Sequence, residues 1–372
     1  MIMKKRLLYI VNVDWFFISH RLPIAIEALK SGYEVHIACG ITDKKEYLEE
    51  LGLIVHPLKL SRSGTSIGGE LSAFLEIYHT LKVVNPYIVH FVSIKPILYG
   101  GICSRFLPVY KKVFSISGLG YVFTKRGIKA FIVRKLIKTM YKIALGGKNS
   151  TVIVQNSYDK EVILSICPVC IEQIRGSGVD LDMYKDTSVN NTSTVVTMAS
   201  RLLKDKGVYE YLTAANLLKE QGIDATFELY GDIDVGNLSS LTGADIKKIK
   251  KEGIVKLMGF SKDISLAFSH TSIVVLPSYR EGLPKVLIEA AACGKAIVTT
   301  DVPGCKDAIV HNKTGLLCKE RDALSLAQQI KKLVLDKNLC DEMGKAGRIW
   351  AEQEFDIKKV IEKHLEIYRG SK

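Results

Sequence analysis

No run of about 18 apolar residues occurs in this 372-residue chain, so no segment is expected to cross a membrane as a helix. The apolar run at 7–13 is shorter than most secretory h-regions and is followed by acidic Asp14, with no small-residue cleavage site. It reads as a first β-strand in a cytoplasmic protein. A disulfide framework is missing too: the eight cysteines are scattered, most of them in or beside apolar runs, as buried thiols in a reducing compartment would be. The pair Cys167-Pro168-Val169-Cys170 has neither a second pair nor nearby histidines, so no metal site is expected there. Glycine is absent from Val13-Asp14-Trp15-Phe16, where a dinucleotide-binding dehydrogenase needs GxGxxG after its first strand. Repeats and low-complexity blocks are also absent.

The most uneven absence is of acid. Between Ile77 and Tyr158 there is no Asp or Glu but 13 Lys and Arg, so this stretch accounts for the whole formal net charge of +13. A basic excess confined to one stretch is a local electrostatic feature, and its partner should be anionic: a lipid surface, a diphosphate or a nucleic acid.

What is present, 47% hydrophobic and 24% charged residues, suits a globular protein of two α/β domains. Strand-like runs fall at 7–13, 34–39, 54–57, 88–92, 113–117 and 152–155, with helix-like stretches at 22–31, 44–51 and 69–84 between them. The rhythm restarts at 194–199, continues through a helix at 207–221, and runs on through strands at 226–230, 255–258, 273–276, 296–300 and 315–318. The polar patch at 186–193, DTSVNNTS, reads as part of the connection, and 323–368 is helical by periodicity. Strand–helix alternation of this kind predicts parallel sheets covered on both faces. Two such domains facing across a cleft would bind ligands at the carboxyl ends of their strands.

The segment 276–301, LPSYREGLPKVLIEAAACGKAIVTTD, is the most informative. A strand leads into a turn at Glu281-Gly282, and a helix begins near Pro284, where a missing N–H costs nothing. The amides of Leu283, Lys285 and Val286 would be free to bind phosphate oxygens. Glu281 on the loop and Glu289 in the helix can each accept hydroxyl hydrogen bonds. Either glutamate alone would pass for a surface acid.

Taken together, the string resembles the E-x7-E signature of glycosyltransferase family 4, the retaining GT-B enzymes. Ala199-Ser-Arg201-Leu-Leu-Lys-Asp-Lys206-Gly207 is similar to that family's Arg and Lys that hold the donor diphosphate, and Tyr230-Gly231-Asp232 to its turn by the nucleotide. Gly176-Ser-Gly178-Val179-Asp180 resembles the interdomain motif; Asp301-Val-Pro-Gly304 and Asn312-Lys-Thr-Gly315 also match in position. The resemblance covers roughly 170–320. It implies a GT-B fold of two Rossmann-like doubly wound domains: acceptor domain 1–175, donor domain 176–355, and a C-terminal helix, 356–372, returning to the first domain. It also implies a UDP-sugar donor, with Glu281 catalytic and Arg201, Lys206, Gly231, Gly282, Leu283, Pro284, Lys285 and Glu289 at the donor, Glu289 as the ribose clamp. No metal or other cofactor is implied, although Asp180-Leu-Asp182 and Asp232-Ile-Asp234 look like DxD motifs.

The first half departs from the Gly-Gly loop of many family members. Its Asp14-Trp-Phe-Phe-Ile-Ser-His20-Arg21-Leu-Pro23, with Phe91-Val-Ser-Ile-Lys95-Pro96 and Ser117-Gly118-Leu119-Gly120-Tyr121, resembles a subgroup. Those enzymes extend undecaprenyl-diphosphate-linked sugars in O-antigen, capsule and N-glycan assembly, often as α-1,3-N-acetylgalactosaminyltransferases. The resemblance puts His20, Arg21, Lys95 and Gly118 at the acceptor, His20 also with a catalytic role. The histidine that many relatives place after a central strand is not evident.

The stretch 127–145, GIKAFIVRKLIKTMYKIAL, puts apolar residues on one helical face and Lys129, Arg134, Lys135, Lys138 and Lys142 mostly on the others. Such a helix could lie on the anionic inner face of the cytoplasmic membrane, or be a core helix with a solvated basic side. Only the first reading accounts for the missing acids around it. A nucleic-acid binder would leave the E-x7-E half unexplained. A GT-B epimerase would not need a basic acceptor domain, and a catalytically dead scaffold would not need intact donor motifs.

Overall fold

A computed structural model describes residues 4–60, 67–119, 127–186 and 193–370, with the side chains of 67 and 128–130 excepted. Gly120, Tyr121, most of the 186–193 patch and the side chain of Lys129 therefore lie outside the described residues. The chain divides into two units, 1–177 with 359–372, and 178–358. The sequence placed its boundaries at 175 and 356.

The first unit is built on a seven-stranded parallel sheet. Its strands are β1 (Arg6–Val13), β2 (Glu34–Gly40), β3 (Ile54–Pro57), β4 (Ile88–Val92), β5 (Lys111–Ile116), β6 (Ser150–Val154) and β7 (Cys170–Gln173). They lie in the order β3-β2-β1-β4-β5-β6-β7. The central strands are buried along almost their whole length, all five residues of β4 among them, as parallel strands covered on both faces must be. The helices are α1 (Asp14–His20), α2 (Leu22–Lys30), α3 (Lys45–Glu50), α4 (Ile67–Val84), α5 (Ile94–Cys103), α6 (Ile128–Leu145) and α7 (Ser157–Ile166).

The second unit repeats the plan with β8 (Val195–Ala199), β9 (Thr226–Tyr230), β10 (Val255–Gly259), β11 (Ile273–Leu276), β12 (Ala296–Thr300) and β13 (Gly315–Cys318), in the order β10-β9-β8-β11-β12-β13. Its helices are α8 (Val208–Glu220), α9 (Gly243–Glu252), α10 (Ile264–His270), α11 (Lys285–Ala292), α12 (Ala323–Leu335) and α13 (Lys337–Glu354). One large apolar cluster fills it. Both sheets reverse direction next to their first strand, at β1/β4 and at β8/β11, and ligands of doubly wound sheets collect at the carboxyl ends beside such a reversal.

The helical tail is broken twice. Asp336 ends α12 and caps α13 by accepting from the Leu339 amide at 2.9 Å, and a further helix, α14 (Ile357–Arg369), begins after Asp356. From residue 359 the chain belongs to the first unit, where Val360, His364, Leu365 and Tyr368 are buried. Within the second unit, the residues just after 178 pair with those just before 358. Val179 N–H donates to Phe355 O at 2.8 Å, Ile357 N–H donates to Val179 O at 3.0 Å, and a Cβ on Gly178 would stand 2.7 Å from Ile357 Cα.

Candidate functional site

The residues expected at the sugar nucleotide lie on the loops after β8, β9 and β11 and in α11. Beyond β8 the chain makes a 3₁₀ turn, Lys204–Lys206, and Gly207 follows with φ +76. A Cβ on Gly207 would lie 2.1 Å from Pro277 O, so only glycine lets this turn reach the loop after β11. Asp205 O then accepts from Tyr279 N at 2.9 Å and lies 3.1 Å from Ser278 Oγ. Gly231, φ +136, lies where a Cβ would meet Ser200 O at 1.8 Å, tying the end of β9 to that of β8.

This stitching brings Lys206 onto Glu281. The ammonium contacts Glu281 Oε1, to which Ser278 Oγ also donates at 2.7 Å. Both partners are largely buried, their side chains 20% and 13% exposed. Gly304 supports the turn from beyond β12: its φ is +85, and a Cβ there would stand 2.4 Å from Glu281 O and 2.6 Å from Gly282 O. Pro284, with φ −70 and ψ 121, caps α11 from outside, one residue before the helix starts. Leu287 N–H already donates to Pro284 O at 3.1 Å; the amides of Lys285 and Val286 stand in the first turn, where the helix has no acceptor of its own.

Glu289, five residues into α11, is buried. Its Oε1 accepts from Tyr184 Oη at 2.8 Å and pairs with Lys285 Nζ at 3.3 Å. Burial pushes this carboxyl above the usual carboxylate range, against the pull of Lys285 and Tyr184. Among the described residues, every hydrogen bond and ion pair to these two carboxylates falls on Oε1 and none on Oε2. Arg201, half exposed, pairs with Asp234 at 2.5 Å. Both DxD look-alikes are engaged: Asp234 holds Arg201, and Asp180 Oδ1 accepts from the amides of Asp182 and Met183.

In the first unit, Asp14 at the end of β1 is fully buried and accepts from the Trp15 and Thr42 amides at 2.7 Å each and from Thr42 Oγ1 at 2.9 Å. It joins the first turn of α1 to the loop after β2. His20, partly exposed in the last turn of α1, stacks on Phe16 with ring centroids 4.1 Å apart and bonds Phe16 O through Nδ1 at 3.2 Å. Arg21 is 2% exposed. Its Nη1 donates to His20 O at 2.8 Å and to Ser177 Oγ at 3.4 Å, and among the described residues its Nε has no partner. The expectation had Arg21 beside His20 at the acceptor; its guanidinium is buried and bonds the His20 carbonyl and the Ser177 hydroxyl. Lys95 Nζ is 2.6 Å from Glu70 Oε1, whose other oxygen accepts from Tyr99 Oη at 2.6 Å. Gly118 follows β5 with φ +104.

A buried polar cluster went unnoticed in the sequence. Tyr368 on α14 shares hydrogen bonds with Tyr9 on β1, 2.9 Å, and His90 Nδ1 on β4, 2.7 Å, while His90 Nε2 reaches Ser115 Oγ at 2.6 Å. Tyr9 and His90 are register partners. Burial and the neighbouring Arg21 hold both His90 and His364 neutral, His364 down at about 3. The one available signal was a histidine inside an otherwise apolar strand.

On α6 the expectation of one apolar face needs correction. Tyr141, Ala144 and Leu145 are buried, but Phe131, Ile132, Val133, Leu136 and Ile143 are exposed together with Lys135, Lys138 and Lys142; Arg134 is half buried. The outer side therefore carries an apolar sector beside a basic one. Among the described residues no helix is long and apolar enough to cross a membrane.

Residues 182–350 match the family model described as glycosyl transferases group 1, and residues 6–156 the model described as glycosyl transferase 4-like. The chain is 28% identical to the N,N'-diacetylbacillosaminyl-diphospho-undecaprenol alpha-1,3-N-acetylgalactosaminyltransferase of Campylobacter jejuni, over 95% of this chain and 97% of that one. It is 26% identical to the UDP-Gal:alpha-D-GlcNAc-diphosphoundecaprenol alpha-1,3-galactosyltransferase of Escherichia coli, over 80% and 79%. Among solved structures, sucrose-phosphate synthase of Thermosynechococcus elongatus superposes with a TM-score of 0.80 at 17% identity, covering 98% of each chain. Anabaena HepE in complex with UDP-glucose gives 0.77 at 17% identity, covering 98% of this chain and 99% of that one. At that identity the likeness is one of fold: two Rossmann-like domains of the GT-B type.

Proposed function

The chain belongs to the glycosyltransferases that join a 4-like first domain to a group 1 second domain, and on that premise we propose a retaining transferase acting on undecaprenyl-diphosphate-linked sugars. It takes a hexose or N-acetylhexosamine from a UDP-sugar, with GalNAc in α-1,3 linkage the first choice. The names of the Campylobacter jejuni and Escherichia coli relatives support this class of acceptor.

One observation carries the reading. Glu281 and Glu289 stand on the same loop–helix segment with Oε1 committed to protein partners and Oε2 left over, next to Lys206 and the open first turn of α11. A carboxylate oxygen accepts a sugar hydroxyl well. Lys206, Arg201 and the amides of Lys285 and Val286 can hold a diphosphate and neutralise its charge as it leaves. In this reading Glu289 takes the ribose hydroxyls and Glu281 the transferred sugar. With no carboxylate nucleophile assigned, the departing diphosphate takes the proton of the incoming hydroxyl. Metal is not required, so activity should survive EDTA.

The first unit is assigned the acceptor. His20 at the end of α1 meets it and Arg21 positions His20 through its carbonyl, with Lys95 in the first turn of α5 and Gly118 on the loop after β5. The exposed apolar and basic sectors of α6 set the protein on an anionic bilayer, at the inner face of the cytoplasmic membrane. The test is a panel of UDP-sugars with a synthetic polyprenyl-diphosphate HexNAc acceptor. Transfer from one UDP-sugar supports the reading, and epimerisation of the donor without transfer overturns it.

A further inference from the structure

The amino ends of β5, β6 and β7, at the edge of the first sheet opposite the carboxyl-end loops, border an open cavity of about 1050 Å³. Arg105, Lys111, Lys142 and Lys148 line it, with Ser150 and the turn 146–149 between them. Lys112 adds a fifth cation close by: a Cβ on Gly147 would be 3.3 Å from both Lys112 Nζ and Ser150 Oγ. Among the described residues no carboxylate side chain lines the cavity and none pairs with these five. Arg105 stiffens the wall by donating from Nη1 to Ile143 O at 2.9 Å and Gly146 O at 3.0 Å.

Two further facts suit the cavity to an anion. Ser150 is 7% exposed and among the described residues its Oγ has no hydrogen-bond partner, an arrangement that costs free energy unless something arrives to accept the bond. The Lys111 and Lys112 ammoniums are held below their ordinary range, both by burial and Lys112 also by Arg105. Clustered, partly desolvated cations repel one another until an anion joins them.

We propose that this cavity binds a phosphate-bearing group, at a site separate from that of glycosyl transfer. Phosphate supplies several acceptor oxygens for converging cations and a hydroxyl donor. Its source is an anionic lipid headgroup or a soluble phosphate ester; Lys142 and Ile143, which line the cavity, also belong to the exposed side of α6. The proposal does not depend on the transferase reading.

Hydrogen exchange on the full chain tests it with two probes. One is sn-glycerol 1-phosphate; the other is vesicles of phosphatidylglycerol in phosphatidylcholine, with pure phosphatidylcholine as the blank. Slowed exchange of the amides at 146–151 is expected, from the soluble ester if the ligand is free phosphate, or from anionic vesicles alone if it is a headgroup held in a bilayer. Lys148→Ala and Ser150→Ala, which remove an exposed ammonium and an unpartnered hydroxyl, should each raise the probe concentration needed by about tenfold with thermal unfolding unchanged. Unaltered exchange at 146–151 with both probes, or protection that persists undiminished in both variants, overturns the proposal.

Discussion

Lys206 and Glu281 form an ion pair that spans the two loops flanking the strand-order reversal of the second sheet, and the Ser278 hydroxyl at 2.7 Å completes the set around Glu281 Oε1. The pair is largely buried, so neither partner swings freely. It orients the carboxylate, and in the proposed function the same pairing supplies the cation for the leaving diphosphate.

Replacing Glu281 by Ala should lower kcat/KM by roughly 100-fold or more, the scale seen when a group aimed at the reacting centre is lost. The fold should persist, because Ser278 and Lys206 have other routes to solvent or backbone. Steady-state kinetics beside circular dichroism make the check; wild-type turnover would remove Glu281 from the mechanism.

Glu289→Gln should raise the donor KM by about tenfold, the weight of one hydrogen bond to a charged group, with kcat little changed. A pH effect accompanies it. A carboxyl whose folded value is raised binds its proton more tightly folded than unfolded, so its contribution is present at low pH and lost as pH rises through the raised value. Glu289→Gln should therefore gain thermal stability relative to wild type as pH increases above the carboxylate range. A melting-temperature difference that does not vary with pH would contradict this.

Gly231→Ala should cost about 2–3 kcal/mol or displace the loops after β8 and β9, since φ is +136 and the added carbon would meet Ser200 O at 1.8 Å. Thermal unfolding measures the cost. A variant as stable as wild type and with unchanged donor affinity would mean that this contact does not shape the site.

Lys135→Ala with Lys138→Ala should weaken flotation on anionic vesicles by about 2 kcal/mol, at about 1 kcal/mol per surface cation, and the loss should shrink in high salt. Ile132→Ser with Leu136→Ser should weaken it at any salt. If neither pair changes flotation, α6 is not the docking helix.

Tyr368→Phe removes the hydroxyl shared by Tyr9 and His90 and should cost about 1–3 kcal/mol. His90 and His364 add a pH dependence of opposite sign to that of Glu289. Their folded values lie below the ordinary histidine value of 6.5, so the unfolded chain takes up protons first. The stability they contribute is complete above that value and is lost as pH falls below it. Melting from neutral to mildly acidic pH should show the loss, and His364→Leu should flatten it; an equally steep fall in the variant would place the effect elsewhere.

Much of this was legible in the sequence because parallel strands buried on both faces are short apolar runs. β3, β9, β11, β12 and β13 stand where those runs predicted. β7 was missed because Cys170-Ile171-Glu172-Gln173, at the sheet edge, is half solvated and carries no such run. α1 was missed because its seven residues begin at Asp14, whose carboxylate bonds the loop after β2, and no side chain caps them. The set Arg201, Lys206, Glu281 and Glu289 was readable as a motif, but the pairing of Lys206 with Glu281 was not, since it depends on Gly207 letting two distant loops touch. The Tyr9–His90–Tyr368 cluster joins residues far apart in sequence on β1, β4 and α14, and no local pattern announces it. On α6, periodicity gave the helix but not which apolar residues stay outside.

The most direct test of the account is the anomeric configuration of the product formed from a UDP-α-sugar and a polyprenyl-diphosphate-linked HexNAc acceptor, read by NMR. The account predicts an α-linked disaccharide, formed with EDTA present and abolished by Glu281→Ala. A β-linked product, or no transfer to any lipid-diphosphate-linked sugar across the full donor panel, would contradict it.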